Sequence, residues 1–425
     1  MKLNRTIQPT ARLIDKIKFK KVENLGFQNG IECFYLSSNE QNALKLDFVF
    51  DAGYCYHQNS IIPSAVSQLM LEGTNTKSSK EINELLELQG AYVDTSANTD
   101  HIVLSVYCLK QQLTYILPII NDIVSQADFK QVEVDSFTAI QRRKFLVNQE
   151  KVSFLAKNKF IEHIYPKGHL YDHAIRESDF ELIKREDLIK FYDQTIRNKK
   201  FRLYISGGVS QVELKLLQKN FQEIDYQAVP QRSITDFSFK PKKEHLLKVD
   251  ANQVALRIGC PTINRQHADF PKLTIANTLL GGYFGSRLMT NLREDKGYTY
   301  GIGSGIATQK QGAYFYVSTE LGWQYIKPAM KEIENEFHRL STELVADKEL
   351  ELVKNYMRGM LLRNFDGTMA TMDRFRFLNE NGLDFSYYKL LLKALNETNS
   401  IEIMSIFQQY LTFQNMSIVS SGEPF

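Results

Sequence analysis

A unit of helix, turn, strand and glycine occurs twice in this chain, and its copies lie far enough apart to close two whole domains. Asp187-Leu188-Ile189 leading to Phe201-Arg202-Leu203-Tyr204-Ile205-Ser206-Gly207 returns as Glu402-Ile403-Met404 leading to Met416-Ser417-Ile418-Val419-Ser420-Ser421-Gly422. The alignment needs no gap, and Gly207 and Gly422 stand 215 residues apart. A chain of 425 residues exceeds what one hydrophobic core usually spans. A recurrence on that scale points to two copies of one fold rather than two unrelated ones. Between them, residues 223–244 hold Pro230, Pro241 and several Ser, Lys and Gln with little apolar periodicity, and read as a linker. The expected division is a first domain over 1–222 and a second over 245–425.

Local patterning fills in each copy. Leu44 to Asp51 and Ile102 to Tyr107 read as strands. Ser78-x-x-Glu81 is a capping box that opens a helix stopping at Gly90. Helical periodicity follows over Leu113–Ala127 and across Phe137–Tyr165. In the second half a strand over Gln253–Cys260 precedes a helix from Asp269 to Leu280, the glycines 281, 282 and 285, and a helix over Ser286–Asp295. Strands through Tyr298–Ile306 and Ala313–Thr319 and helices over Gln324–Leu344 and Asp347–Leu362 complete it. Each domain is expected to be a sheet packed with helices, α+β rather than strictly alternating in order.

Composition removes several function classes. Lys plus Arg (52) nearly balances Asp plus Glu (49), so no global field attracts nucleic acid or an anionic membrane. Cys33, Cys55, Cys108 and Cys260 lie far apart, without the spacing of a disulfide framework or a thiolate metal site. Met1 to Lys21 has no apolar core of a secretory signal, which leads to the expectation of a cytoplasmic protein with no membrane partner. Catalytic signatures fail in turn: H-E-x-x-H is absent, and Ser304 is out of register for a nucleophile elbow. His163, His169 and His173, with Glu162, form the one tempting histidine cluster. Pro166 and Gly168 break any common helical face there, so hydrogen-bonded or surface histidines are expected rather than a metal site.

The informative segment is Leu292-Arg293-Glu294-Asp295-Lys296-Gly297-Tyr298-Thr299-Tyr300, after Leu279-Leu280-Gly281-Gly282 and Ser286-Arg287-Leu288. An arginine that ends a helix, a glycine that turns the chain and a tyrosine that starts a strand can face one cleft. Here the sequence resembles the pitrilysin or insulinase-like zinc peptidases (inverzincins), in particular their short two-domain relatives. The resemblance extends to the first half through Phe48-Val49-Phe50-Asp51-Ala52-Gly53, Leu71-Glu72-Gly73-Thr74, and Gly90-Ala91 followed by Thr99-Asp100. It implies two homologous domains, each a mostly antiparallel sheet packed with helices, that face across a cavity. It implies further that the Tyr300 hydroxyl stabilises a developing oxyanion while Arg293 orients the substrate backbone. It also implies that Ala91, Tyr92, Val93, Asp94 and Thr95 lie on an edge strand to which a peptide substrate adds.

Counted back from Gly73-Thr74, the family's H-x-x-E-H falls on Ser64-Ala65-Val66-Ser67-Gln68. Ser64, Ser67 and Gln68 replace both histidines and the glutamate. The window for the third ligand, roughly 75–80 residues on, reads Gln141 to Asn148 without a carboxylate. Serine and neutral glutamine are poor zinc ligands, and Ser67 cannot act as a general base near neutral pH. The resemblance therefore points to the zinc-free partner in a two-chain peptidase, with zinc only in a homologous partner subunit and none in this chain. A non-catalytic scaffold or a peptide-binding homodimer of the same fold is the alternative. An autonomous enzyme with relocated ligands such as His57 or His101 is the least expected outcome.

Overall fold

The computed structural model describes residues 19–38, 41–221, 225–232 and 237–424. Two sheets organise them. The first runs in the order β1-β2-β6-β3-β5-β4, from β1 (Glu23–Asn24), β2 (Glu32–Ser37), β3 (Ala43–Phe50), β4 (Tyr92–Ala97), β5 (Ile102–Leu109) and β6 (Phe201–Gly207). The second runs β7-β11-β8-β10-β9, from β7 (Lys243–Leu247), β8 (Val254–Pro261), β9 (Thr299–Gln309), β10 (Gly312–Leu321) and β11 (Ser417–Gly422). The orders correspond strand for strand once β1 is set aside.

The sequence repeat explains that match. β6 enters the first sheet parallel to β2 and antiparallel to β3. β11 enters the second parallel to β7 and antiparallel to β8. Each inserted strand ends on a glycine with positive φ, +113° at Gly207 and +147° at Gly422. A Cβ on Gly207 would stand 2.0 Å from the Ala43 carbonyl oxygen, and one on Gly422 2.7 Å from that of Gln253. Neither site has room for a side chain, so both copies keep glycine for the same steric reason.

Helices α1 (Ile61–Leu69), α2 (Ser79–Leu88), α3 (Leu113–Gln126), α4 (Gln131–Gln149), α5 (Val152–Ile164), α6 (Ser178–Glu181), α7 (Arg185–Thr195) and α8 (Gln211–Phe221) come from the first half. The second half supplies α9 (Phe270–Asn277), α10 (Ile326–Thr342), α11 (Asp347–Arg363), α12 (Gly367–Glu380), α13 (Ser386–Glu397) and α14 (Ser400–Tyr410). The helix expected across Phe137–Tyr165 is two helices. Lys151 adopts φ −95° and ψ 121°, which ends α4 and redirects the chain into α5. No glycine or proline marks that break in the sequence.

The break has a structural consequence, because α5 leaves its own half. Phe160, Ile161 and Ile164 of α5 pack with Ala255 and Val419 on the second sheet. In return α12 crosses to the first sheet, where Met372 packs with Phe34, Val49 and Tyr204. Each buried aliphatic or aromatic side chain of this kind contributes roughly 1.5–3 kcal/mol. The exchange also explains the composition of β3. Leu44, Leu46, Phe48 and Phe50 face the first core. On the opposite face, Lys45 and Asp47 form ion pairs with Asp373 and Arg376 of α12. Among the described residues no helix is long and apolar enough to cross a membrane.

A charged cluster fastens the end of α12 to the first sheet. Arg202 reaches Asp51 at 2.7 Å and Glu380 at 2.6 Å. His101 Nε2 lies 3.0 Å from Glu380 and 3.4 Å from Asp51, as an ion contact rather than an aligned hydrogen bond. The Tyr204 hydroxyl donates to Glu380 and accepts from Asn379 Nδ2 at 2.8 Å. Burial alone would raise the Glu380 carboxyl, but His101 and Arg202 outweigh it and hold it at about 2. Asp51 is held far below the carboxylate range against the same burial by His101 and Arg202. For His101, burial pulls downward, yet Asp51 and Glu380 prevail and leave it above its ordinary value.

These directions fix the pH dependence. A histidine whose folded pKa is raised contributes stability that is complete below its unfolded value of about 6.5 and is lost as pH rises through the folded value. The depressed carboxylates contribute above their unfolded values, and that part is lost only as pH falls towards the folded ones. Denaturation midpoints are therefore expected to decline as pH rises above about 6.5 towards the folded value, and His101→Asn is expected to flatten that decline. Coincident profiles for the two proteins would show that His101 is uncharged in the fold.

Candidate functional site

Helix α1 carries the positions where the resemblance places a metal motif. Ile62, Ala65, Val66 and Leu69 bury one face of it in the first core. Ser64 and Gln68, one turn apart, point instead towards α4. Gln68 Nε2 lies 3.4 Å from the Ser64 hydroxyl, and Gln141 Nε2 of α4 lies 3.5 Å from Gln68 Oε1. Gln141 is thus the member of the 141–148 window whose side chain hydrogen-bonds to the motif helix. Ser67 is buried, its hydroxyl has no partner among the described residues, and its carbonyl accepts from the Thr95 hydroxyl at 2.6 Å.

One hydroxyl and two carboxamides do not fit a zinc ion, which takes thiolate, imidazole or carboxylate ligands. Lys144, one turn beyond Gln141, lines the cavity that opens beside Ser64 and Gln141 and adds a positive charge there. No reaction step runs through a metal at this helix. Purified chain is expected to carry no stoichiometric zinc, and added zinc is expected to leave the unfolding midpoint unmoved. Restoring the donors with Ser64→His, Gln68→His and Gln141→Glu is expected to create a site for one equivalent. An equivalent already held at α1 by the unaltered chain would overturn this reading.

The other histidines are engaged elsewhere. His163 Nε2 lies 2.8 Å from Glu244, His169 stacks on Tyr165 with ring centroids 4.8 Å apart, and His173 Nδ1 lies 2.7 Å from the Tyr171 carbonyl. His57 Nδ1 accepts from the Asn59 amide at 3.0 Å. Among the described residues, the group of three donors close enough to share a metal is Asp51, His101 and Glu380. The Arg202 guanidinium already supplies the positive charge between the two carboxylates, so that cluster is an ion network rather than a metal centre.

Arg293 and Tyr300 occupy a different kind of setting. A π-helical segment, Met289–Asp295, ends at Arg293's turn, and Gly297 at φ +63° turns the chain into β9. Such π segments recur at functional sites. The Arg293 guanidinium lies over the Phe284 ring, 4.7 Å from its centroid. Tyr300 is 91% exposed, more than any other large apolar or aromatic side chain described. It sits at an irregularity in the pairing of β9 with β10, between the Thr299–Leu321 and Ile302–Thr319 pairs. A bulge of this sort re-aims a side chain.

Two threonines hold that bulge, and nothing in the sequence had marked them. The Thr299 hydroxyl donates to the Glu320 carbonyl at 2.7 Å, and the Thr319 hydroxyl bonds Thr299 and the Gly301 carbonyl, each at 2.9 Å. Tyr300 therefore projects from a pinned main chain rather than from a loose loop.

Ala91–Thr95 lies at the equivalent place in the first half. Gly90, at φ +60°, opens β4 as Gly297 opens β9. Among the described residues β4 pairs with β5 alone and so is the edge of its sheet, as β9 is of the other. Tyr92 and Asp94 point outward, whereas Val93 and Thr95 are half-buried against the sheet's own helices. Among the described residues no further strand pairs with either edge. No hydrogen bond, ion pair or ring contact between described residues joins Arg293 or Tyr300 to Ser64, Gln68 or Gln141.

A duplicated α+β domain, a motif helix stripped of metal donors and an exposed Arg/Tyr pair in the second copy define an insulinase-type scaffold. The sequence profile of the insulinase family (peptidase family M16) matches residues 64–173, and that of the peptidase M16 inactive domain matches residues 183–357. Together they span more than half of the chain, which belongs to this family. An uncharacterized zinc protease YmxG of Bacillus subtilis (strain 168) is 22% identical, over 80% of this chain and 82% of its own. The non-peptidase homolog YmxG of Helicobacter pylori is 20% identical, over 92% and 95%. Among solved structures, a peptidase M16 inactive domain from Pseudomonas fluorescens superposes with a TM-score of 0.88 at 19% identity, covering 96% of this chain and 99% of that one. A protease from Helicobacter pylori gives 0.86 at 14%, covering 96% and 100%. At such identities the structural likeness shows the fold alone.

Proposed function

We propose that this chain is the zinc-free, cytoplasmic subunit of a two-chain insulinase-type peptidase, supplying Arg293 and Tyr300 to peptide hydrolysis at a partner's zinc. The observation that carries the proposal is the presentation of Tyr300. A main-chain bulge pinned by two buried threonines holds an almost fully exposed tyrosine at the open edge of a sheet. A sheet-face tyrosine in a scaffold has no need of that arrangement, and an autonomous peptidase would need the donors that α1 lacks. A phenol held out from one chain can serve as an oxyanion donor over a metal held by another. The open edge of β4 supplies main-chain partners for the peptide. The Helicobacter relative's description as a non-peptidase homolog accords with a chain that is inactive alone.

The test is reconstitution. This chain and a zinc-bearing homologue from the same cell are purified separately, then assayed apart and mixed on a quenched fluorescent peptide. Activity in the mixture that neither shows alone supports the subunit reading. A partner whose rate is unchanged by saturating amounts of this chain sinks it, and the scaffold or peptide-binding homodimer takes its place.

A further inference from the structure

The shared-site reading leaves the cavity beside the motif helix without a role. That cavity has a volume of about 310 Å³, and Phe137, Phe145, Phe154 and Phe180 form much of its wall. Its size falls near the lower end of the range of roughly 300–1,000 Å³ for ligand pockets. Among the described residues no carboxylate lines it, whereas Lys144 and Lys157 do. Both lysines are exposed residues, and among the described residues neither lies within ion-pair distance of an acidic group. Their neighbour Lys159, by contrast, is paired with Glu162 and Glu244, each at 3.2 Å. An apolar chamber with two unneutralised cations fits a ligand that is apolar at one end and anionic at the other.

The position of β4 narrows the choice of ligand. Tyr54 lines the cavity, and its hydroxyl donates to the carbonyl of Ala97, the last residue of β4, at 2.9 Å. Ser64 lines it too, and β4 is tied to the same helix through the Thr95–Ser67 bond. No described β4 residue lines the cavity itself, but these two bonds seat the C-terminal end of β4 beside elements that do. A peptide paired along β4 can place one side chain inside. An internal residue brings no charge to meet Lys144 and Lys157, but a terminal residue brings its α-carboxylate.

We propose that the cavity is a C-terminus pocket: it takes the apolar last side chain of a peptide lying along β4, while Lys144 and Lys157 hold the free carboxylate. This rests on the peptide-binding part of the function proposed above. It assigns to the vacated motif region a capture role that needs no metal.

Fluorescence anisotropy on the full chain tests it, with an amino-terminally labelled peptide of alternating Val and Thr ending in Phe. The free acid is expected to bind roughly twofold to thirtyfold more tightly than the same peptide as its C-terminal amide, the range for two exposed ion pairs. Lys144→Ala with Lys157→Ala is expected to abolish that difference while leaving the amide's weaker binding unchanged. Both lysines are exposed, so circular dichroism is expected to match the parent. Equal binding of acid and amide to the parent overturns the pocket but leaves peptide capture at β4 standing. No binding of either form removes the peptide reading itself. Oleate that binds through the two lysines where the acid peptide does not would overturn the proposal in favour of a lipid carboxylate.

Discussion

Glu380→Ala is expected to lower the stability of the chain by about 3–5 kcal/mol, the usual cost of removing one partner from a buried charge cluster. Three groups lose their contact at once. Arg202 keeps only Asp51, His101 keeps only the more distant Asp51 oxygen, and the buried Tyr204 hydroxyl loses its acceptor. The effect exceeds an ordinary surface ion pair because Glu380 is 9% exposed and lies where two halves of the fold meet. Chemical denaturation of the parent, Glu380→Ala, Arg202→Ala and the double variant gives the coupling directly. Single losses that add in the double variant would mean that the two residues act independently, and the network account would be wrong. A surface control, Lys80→Ala, breaks only an exposed pair with Glu84 and is expected to cost less than about 1 kcal/mol.

The residues of that network show why the sequence discloses some of this molecule and hides the rest. Gly207 and Gly422 were legible because a carbonyl oxygen sits where a side chain would be, and such exclusion forces the same residue in both copies. Capping at Ser78 and Glu81 was legible for a similar reason: the main chain's own hydrogen bonds dictate the residue types, and the box forms as expected. Asp51, His101, Arg202 and Glu380 carry no such mark. They are ordinary polar residues scattered through the chain until the crossing of α12 brings Glu380 to the other three. The exchange of that helix with α5 was itself hidden, because the turn at Lys151 uses no residue with special backbone freedom. The loss of donors at Ser64, Ser67 and Gln68 could be counted from neighbouring motifs. The meeting of Gln68 with Gln141 could not, since within a window lacking any carboxylate nothing singled out one residue. At Arg293 and Tyr300 the spacing pointed to a common face, but the exposure of the tyrosine and the threonines behind it belong to strand pairing.

In the reconstituted pair, Tyr300→Phe is expected to reduce turnover about 10²–10³-fold, the typical consequence of losing one oxyanion donor. The substitution removes one oxygen from a side chain that is 91% exposed and makes no hydrogen bond to described residues, so folding and assembly are expected to survive it. KM is expected to change little, because the hydroxyl acts where charge develops rather than on the bound peptide. Arg293→Ala is expected to behave differently and to raise KM as well, since a guanidinium resting on Phe284 can fork to peptide carbonyls. Thr319→Val separates the bulge from the tyrosine it presents. It deletes the bonds to Thr299 and Gly301 without touching Tyr300, and is expected to lower turnover while binding persists. The same three variants assayed for assembly alone, by sedimentation of the mixed subunits, check that a loss of rate is not a loss of partner. Full activity with Tyr300 and Arg293 both replaced would remove this chain from the chemistry and leave it a structural member of the pair.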